Sequence, residues 1–232
     1  MCSTRMPIPL TQTSRKRTDP RGEATRTALI EAAESLFAEG GVEGVSTRQI
    51  GAAIGSSNTN VVAYHFGSKD ALIREVYRHR LTEIDRRRGE LLAEAERRGC
   101  GDDLRALLEV FYLPLFEQTD SEGRHSYARF LTGLERSGMI ATRMAVSAEF
   151  PHSESLVRQI KEALSAEAGS RFAIRMRLTT ALISGALQQI DQEASGDKER
   201  AADLFDDAIT IAAAALAAPP QPQPDIRDEG ER

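Results

Sequence analysis

The sequence predicts an all-α protein, and three observations carry this prediction. Of its nine prolines, only Pro114 and Pro151 lie between residues 21 and 218. That span is rich in Ala, Leu, Glu and Arg, which favour helices. Apolar residues recur there at helical spacing, as in the series Leu29, Ala33 and Phe37. Residues that start and stop helices then punctuate the span at intervals.

The first two helices have clear boundaries in the sequence. The first is predicted over residues 24–39, and the glycine pair at 40–41 ends it because glycine accepts the left-handed conformation of a helix C-terminus. Ser46 and Gln49 have the spacing of a capping box, in which each side chain accepts the other residue's backbone amide. They start a short second helix, which Gly55 ends.

A turn at residues 55–57 leads to a short third helix, predicted over residues 58–64. Ser68 then caps a long fourth helix that extends to about Arg98. Two short helices joined by a glycine-containing turn and held by a preceding helix form the helix-turn-helix pattern. The alternative is three ordinary core helices with no role in binding DNA.

The C-terminal two-thirds is also predicted to be helical. Asp102 and Asp103 can cap a fifth helix, which Pro114 would kink or end because proline removes a backbone donor. Further helices are predicted over residues 123–136, 151–166, 171–194 and 197–218.

Residues 21–81 resemble the DNA-binding domain of the TetR family of bacterial regulators. Leu36-Phe37 ends the first helix before a glycine turn, and Thr47 and Ile50 fit the second-helix motif. The stretch that enters the fourth helix, Tyr64-His65-Phe66-Gly67-Ser68-Lys69-Asp70-Ala71-Leu72, completes the resemblance. The interval from Gly55 to Tyr64 is one residue longer than usual in the family, which shifts the register of the base-contacting residues by about one position.

The resemblance implies a domain plan and a function. The plan has a flexible basic arm (1–20), the helix-turn-helix domain (21–81), a helical effector-binding and dimerisation domain (82–218) that the long fourth helix joins to it, and a disordered tail (219–232). The implied function is sequence-specific DNA binding by a transcriptional regulator, a homodimeric repressor released by a small-molecule effector. The alternative is a helical ligand-binding or protein-interaction module that has lost DNA binding.

The predicted DNA contacts follow from side-chain chemistry in this context. Asn pairs with adenine through two hydrogen bonds, Thr and Val pack on the thymine methyl, and cations and hydroxyls bind phosphates. Asn58 and Thr59 could instead only cap the third helix, and His65 could instead pack against the first helix. The full predicted set is Arg21, Thr47, Arg48, Ser57, Asn58, Thr59, Asn60, Val61, Tyr64, His65 and Lys69.

The distribution of charge agrees with this prediction, although the whole-chain net charge of −5 does not. Residues 1–80 carry eleven Lys and Arg against eight Asp and Glu, a net charge of +3, which leaves −8 for residues 81–232. The basic cluster Arg15-Lys16-Arg17 forms an arm that could enter the minor groove. It could also be a solvated tail.

The resemblance implies that the last two predicted helices, within residues 171–194 and 197–218, pair with their copies in a homodimer. The general argument for a dimer agrees, because one helix-turn-helix reads only half a site. Packing within one chain is the alternative. The family places an effector pocket among the middle helices. The candidates there are Phe111, Tyr112, Phe116, Tyr127, Phe130 and Met144, although aromatic and Met residues are commonly plain core.

Other classes of protein lack support in the sequence. No Walker loop, G-x-S-x-G, G-x-G-x-x-G or H-E-x-x-H motif occurs, and the four histidines form no ligand pair at helical spacing. We therefore expect no enzyme activity, cofactor or metal. The two cysteines provide no disulfide framework, and no apolar run is long enough to span a membrane. The expected partners are an operator in double-stranded DNA, a second copy of the chain and an unknown small molecule, in the cytoplasm.

Overall fold

The computed structural model describes residues 20–139 and 145–219, and the all-α prediction is confirmed for them: no strand occurs in either range. The predicted arm residues 1–19, most of the predicted tail and Met144 lie outside these ranges. The helices are α1 (Pro20–Gly44), α2 (Thr47–Ala53), α3 (Val61–Phe66), α4 (Lys69–Arg97), α5 (Leu104–Glu117), α6 (Ser126–Arg136), α7 (Pro151–Glu162), α8 (Ala166–Gly169), α9 (Phe172–Glu193) and α10 (Lys198–Ala217).

The predicted helix starts at Ser46, Ser68 and Asp103 are confirmed by their hydrogen bonds. The Gln49 amide donates to Ser46 Oγ over 3.3 Å, and the Ser46 amide donates to Gln49 Oε1 over 2.8 Å. Ser68 and Asp103 each accept the amide three residues ahead, over 3.1 and 2.8 Å. Local side chains therefore satisfy amides that a helix N-terminus leaves unpaired.

Several boundaries differ from the prediction, including the start of α6 at Ser126 and the end of α7 at Glu162. Helix α1 already begins at Pro20, and a break at Gly41, where φ is 70°, confirms the predicted stop. The predicted start of α3 at residue 58 is wrong, because the helix begins at Val61. Helix α5 continues past Pro114 to Glu117, so the proline does not end it at once.

The helices share one hydrophobic core that runs from Leu29 in α1 to Leu216 in α10. Helix α1 packs along α6, α9 packs along α10, and α4 contacts α1, α5 and α7. With 29 residues, α4 is roughly 43 Å long, so one rigid element passes from the helix-turn-helix to the C-terminal helices. The proposed domain boundary at residue 81 falls inside it.

No helix in the described part of the chain is both long enough and apolar enough to cross a membrane.

Candidate nucleic-acid interface and ligand cavity

Helices α2 and α3 approach each other closely because α2 carries a glycine where they touch. A Cβ atom added to Gly51 would lie 2.9 Å from Val61 Cγ1. Val61 and Ile50 are both buried in the core beneath this contact. The absence of a side chain at residue 51 therefore sets the distance between the two helices.

The turn between α2 and α3 is held by its own side chains. Gly55 takes a φ of 70°, and its amide and that of Ser56 donate to carbonyls of α2. Ser56 Oγ accepts the Asn58 amide over 3.2 Å, and Asn58 Oδ1 accepts the Asn60 amide over 2.9 Å. Such side-chain-to-backbone bonds compete with helix formation, which explains why α3 begins only at Val61.

The outward surface of this unit consists of the end of the turn and one side of α3. Asn60 and Tyr64 lie on it, and Tyr64 is 81% exposed. Asn60 is the N-cap residue of α3 but makes no capping hydrogen bond through its side chain. Val61 does not belong to this surface: it is 6% exposed and packs on α2, which corrects its predicted place among the DNA-facing residues.

The other predicted DNA-contacting residues surround this surface. Lys69, at the start of α4, is half-buried, with its ammonium 5.8 Å from the centre of the Phe37 ring. Thr47 is half-buried at the start of α2, and the remaining members of the predicted set are exposed, namely Arg21, Arg48, Ser57, Asn58 and Thr59.

His65 is half-buried and contacts other residues of the helix-turn-helix unit. Its ring lies edge-on to Tyr64, with centroids 5.0 Å apart. Its carbonyl accepts a hydrogen bond of 3.2 Å from Arg26, whose guanidinium also lies 4.5 Å from the Phe66 ring centre and pairs with Glu75. One of the basic residues counted in the N-terminal excess, Arg26, therefore joins α1, α3 and α4 instead of facing outward.

A short helix packed across a second, with an exposed polar edge and a basic rim, defines a helix-turn-helix DNA-binding protein. Residues 29–76, from α1 into α4, match the family profile of bacterial regulatory proteins, tetR family. The match identifies these residues as a TetR-type DNA-binding domain and supports a TetR-type DNA-binding transcription regulator. A comparison with curated proteins found no match.

Beyond the matched segment, a cavity of about 470 Å³ lies between α4, α5, α6, α7 and α9. This volume falls in the range of small-molecule sites, roughly 300–1,000 Å³. Its walls are mainly apolar, with Leu81, Leu115, Leu131 and Met176 among them. Glu154 and Arg177 lie on the exposed side of the cavity and mark its mouth.

The structure brings only part of the predicted effector pocket to this cavity. Phe111, Tyr112 and Tyr127 line it. Phe116 does not: its ring stacks on Phe205 at 4.6 Å. Phe130 is also elsewhere, because it is fully buried and stacks on Phe37 of α1.

The sequence reasoning missed the cavity's buried charge, Arg88. Its guanidinium is 7% exposed and lies 3.8 Å from the centre of the Phe111 ring. Burial lowers the pKa of Arg88 to about 10, so that the side chain stays charged at neutral pH. A signal was present: Arg88 continues the buried stripe Leu81, Ile84, Leu92 along α4, where an apolar residue is expected.

Proposed function

We propose that this regulator is a homodimeric repressor that acts in the cytoplasm and leaves its operator when a small molecule fills the cavity. The observation that carries the DNA-reading half of this proposal is the exposed edge formed by Asn60 and Tyr64, above the buried anchors Val61 and Val62. A rigid α3 with an exposed polar start is what a major groove can accept.

Asn60 is the best candidate for reading a base. Asparagine reads adenine through its side-chain oxygen and amide together. Asn58 Oδ1 already accepts the Asn60 amide, whereas the Asn60 side chain caps nothing. We therefore propose base contact by Asn60 and a positioning role for Asn58.

Phosphate contacts are proposed for Arg48, Tyr64 and Lys69, which lie around the same surface. Lys69 is at the first position of α4, where the amides of the helix N-terminus also attract anions. The Phe37 ring beneath its ammonium restricts the side chain without neutralising it.

The homodimer is supported by an apolar stripe on α9. Ile174, Leu178, Ala181 and Gly185 follow one another at helical spacing, and all four are exposed. Leu178 is 63% exposed, and Ile211 on the neighbouring α10 is 49% exposed. Exposed apolar side chains in such a group indicate an interface, and a two-fold axis would give the two α3 helices the symmetry of a palindromic operator.

Release by a ligand is supported by ring contacts between the cavity and the DNA-binding surface. Tyr127 lines the cavity and stacks on Phe130 with centroids 5.9 Å apart. Phe130 stacks on Phe37 at 6.1 Å, and Phe37 supports Lys69. A ligand that binds one arrangement of these helices better than the other shifts the population towards it and so changes DNA affinity.

Binding to DNA from beside the chain's own gene, measured by fluorescence anisotropy over a salt series, tests the DNA-reading proposal. Asn60→Ala should cost about 1–3 kcal/mol for the specific site. Lys69→Ala should weaken binding to all sequences and lower the salt slope by about 1. Lys161→Ala, an exposed cation on α7, is the control. Unchanged affinity in both variants would favour the module that has lost DNA binding.

The dimer is tested by sedimentation of a matched pair of variants. Ala181→Glu places a carboxylate on the α9 stripe, and Ala93→Glu places one on an exposed position of α4. The first should yield monomers and the second dimers. Dimers in both variants would exclude the stripe as the interface.

A further inference from the structure

The cavity contains one buried cation whose charge no neighbouring carboxylate contacts. Among the side chains that the structure describes, no Asp or Glu oxygen lies within 4 Å of the Arg88 guanidinium. Its hydrogen bonds go to neutral groups: Nε and Nη2 donate to the Phe111 carbonyl over 2.9 and 2.8 Å, and Nη1 donates to Ser153 Oγ over 2.8 Å. A buried cation without such contact is unfavourable unless another group compensates for it.

The nearest negative charge acts through a serine. Asp85 Oδ1 accepts both the amide and the hydroxyl of Ser153 over 2.6 Å, and Ser153 in turn accepts from Arg88. This arrangement fixes the guanidinium in place but leaves its charge only partly compensated. A guanidinium has five N–H groups, and these bonds use three of them. Two N–H groups therefore have no acceptor among the described residues and remain for a ligand.

The hydroxyl groups in the cavity wall already have partners. Tyr112 Oη lies 3.0 Å from Thr180 Oγ1, and Tyr77 Oη lies 2.6 Å from Ser147 Oγ. The other charged residues of the lining are Glu135, which is half-buried and has an interaction of its own, and Glu154 and Arg177 at the exposed mouth, where water screens them. Of the charged residues that line the cavity, only Arg88 is fully buried.

We propose that the effector is an amphipathic organic acid, with its carboxylate on Arg88 and its apolar body against the walls of α4, α5, α6 and α9. This inference rests on the proposed function, because only there does filling of the cavity release the operator. Arginine binds a carboxylate through two parallel hydrogen bonds, which gives direction as well as affinity. No other charged residue in the described lining of the cavity is buried as deeply as Arg88.

The test compares ligands that differ only at the head group, on the full native chain without DNA. Calorimetric titration with decanoate, 1-decanol and decylamine, and with 4-phenylbutanoate and 4-phenyl-1-butanol, separates charge from shape. In at least one of the two shapes, the acid should bind roughly 10- to 100-fold more tightly than the alcohol, as charge-assisted hydrogen bonds predict. Decylamine should bind most weakly in its series. Equal binding of acid and alcohol, or binding by none of them, would overturn the proposal.

Two variants then test whether Arg88 causes the tighter binding of the acid. Arg88→Gln should reduce the ratio of acid to alcohol affinity to near one, whereas Arg177→Gln at the mouth should retain most of it. If Arg88→Gln does not fold, the ligand series on the native chain still decides the question. DNA binding of the ligand-free protein is measured separately. Normal DNA binding with no preference for the acid overturns the ligand inference alone, and preference for the acid without DNA binding overturns the repressor proposal alone.

Discussion

Ser126 on α6 donates a hydrogen bond of 2.7 Å to Glu34 on α1, a carboxylate that is 2% exposed. Glu34 also accepts two hydrogen bonds from Arg80 of α4, over 2.6 and 3.0 Å. Burial lowers the pKa of Arg80, but the hydrogen bond and charge of Glu34 raise it by more, so the pKa is raised overall. The buried carboxylate of Glu34 thus joins α1 of the helix-turn-helix unit to α4 and α6, which both line the cavity.

Ser126→Ala should lower the free energy of unfolding by about 1–2 kcal/mol, because Glu34 loses one hydrogen bond in a buried position while its ion pair with Arg80 remains. Urea unfolding followed by circular dichroism measures the change. Ser155→Ala on α7 is the control and should stay within about 0.5 kcal/mol. Equal losses in the two variants would show that the bond between α1 and α6 adds no stability.

Gly51→Ala should destabilise the protein by about 1 kcal/mol and weaken DNA binding further. The new Cβ atom would lie 2.9 Å from Val61 Cγ1, on a β-branched side chain with little freedom to move. This crowding opposes the usual gain of up to about 1 kcal/mol for replacing a helical glycine. The melting temperature and operator affinity are the two measurements.

The control for Gly51→Ala is Gly133→Ala on α6, where the nearest atom to a new Cβ, the Phe37 carbonyl oxygen, lies at an ordinary distance of 3.8 Å. We expect that variant to be neutral or slightly more stable. If Gly51→Ala stabilises the protein as much as Gly133→Ala, the close approach of α2 and α3 does not restrict residue 51.

Capping residues made much of the fold predictable from sequence, because they act locally. Ser46 and Ser68 set their helix starts through bonds to residues three positions away. The predicted start of α3 was wrong for a related reason. The hydrogen bond from the Asn60 amide to Asn58 Oδ1 competes with helix formation over the same few residues. Periodicity alone does not show which of the two wins.

The cavity was less predictable, because its composition depends on which helices face each other. Phe111 and Phe130 are both buried aromatic residues on amphipathic helices. One lines the cavity, and the other packs on α1. No local pattern distinguishes them. Arg88 could have been found, since a charged residue on the buried stripe of α4 requires a partner inside the protein.

Asp120→Asn should remove a contribution to the free energy of unfolding that depends on pH. Asp120 Oδ1 accepts the amides of Glu122 and Arg124 over 2.9 and 3.0 Å. Burial raises the pKa of Asp120, but these bonds and the Arg124 guanidinium lower it by more, so that the pKa lies below its ordinary 3.8. The carboxylate therefore stabilises the fold above about pH 3.8, and this stabilisation is lost as the pH falls through the lower, folded-state value.

Urea midpoints of the native chain and Asp120→Asn between pH 7 and pH 2.5 measure this difference. The difference should be constant near neutral pH and should shrink in the acid range. Asp203→Asn, on the exposed face of α10, is the control and should change stability by less than about 0.5 kcal/mol. A difference between native and Asp120→Asn that persists unchanged at pH 2.5 would contradict the predicted direction.

Asp191→Asn should lower the free energy of unfolding by about 3 kcal/mol. The buried Asp191 carboxylate accepts hydrogen bonds from residues at the start of α6. It lies 2.6 Å from His125 Nδ1, accepts the His125 amide, and accepts from Arg129 over 3.1 Å. His125 Nε2 meanwhile lies 3.0 Å from the Phe116 carbonyl, so the network joins α5, α6 and α9. An asparagine amide would turn its own N–H groups towards one of these donors, and removing one partner of a buried ion pair is costly.

The matched control is Asp206→Asn, because Asp206 also pairs with an arginine, Arg105, but on the surface. Exposed pairs contribute at most about 1 kcal/mol, so Asp206→Asn should cost no more than that. Urea unfolding of both variants at neutral pH gives the comparison. A loss for Asp191→Asn no larger than that for Asp206→Asn would mean that the His125 network tolerates an amide, and that packing, not the carboxylate, holds α9 to α6.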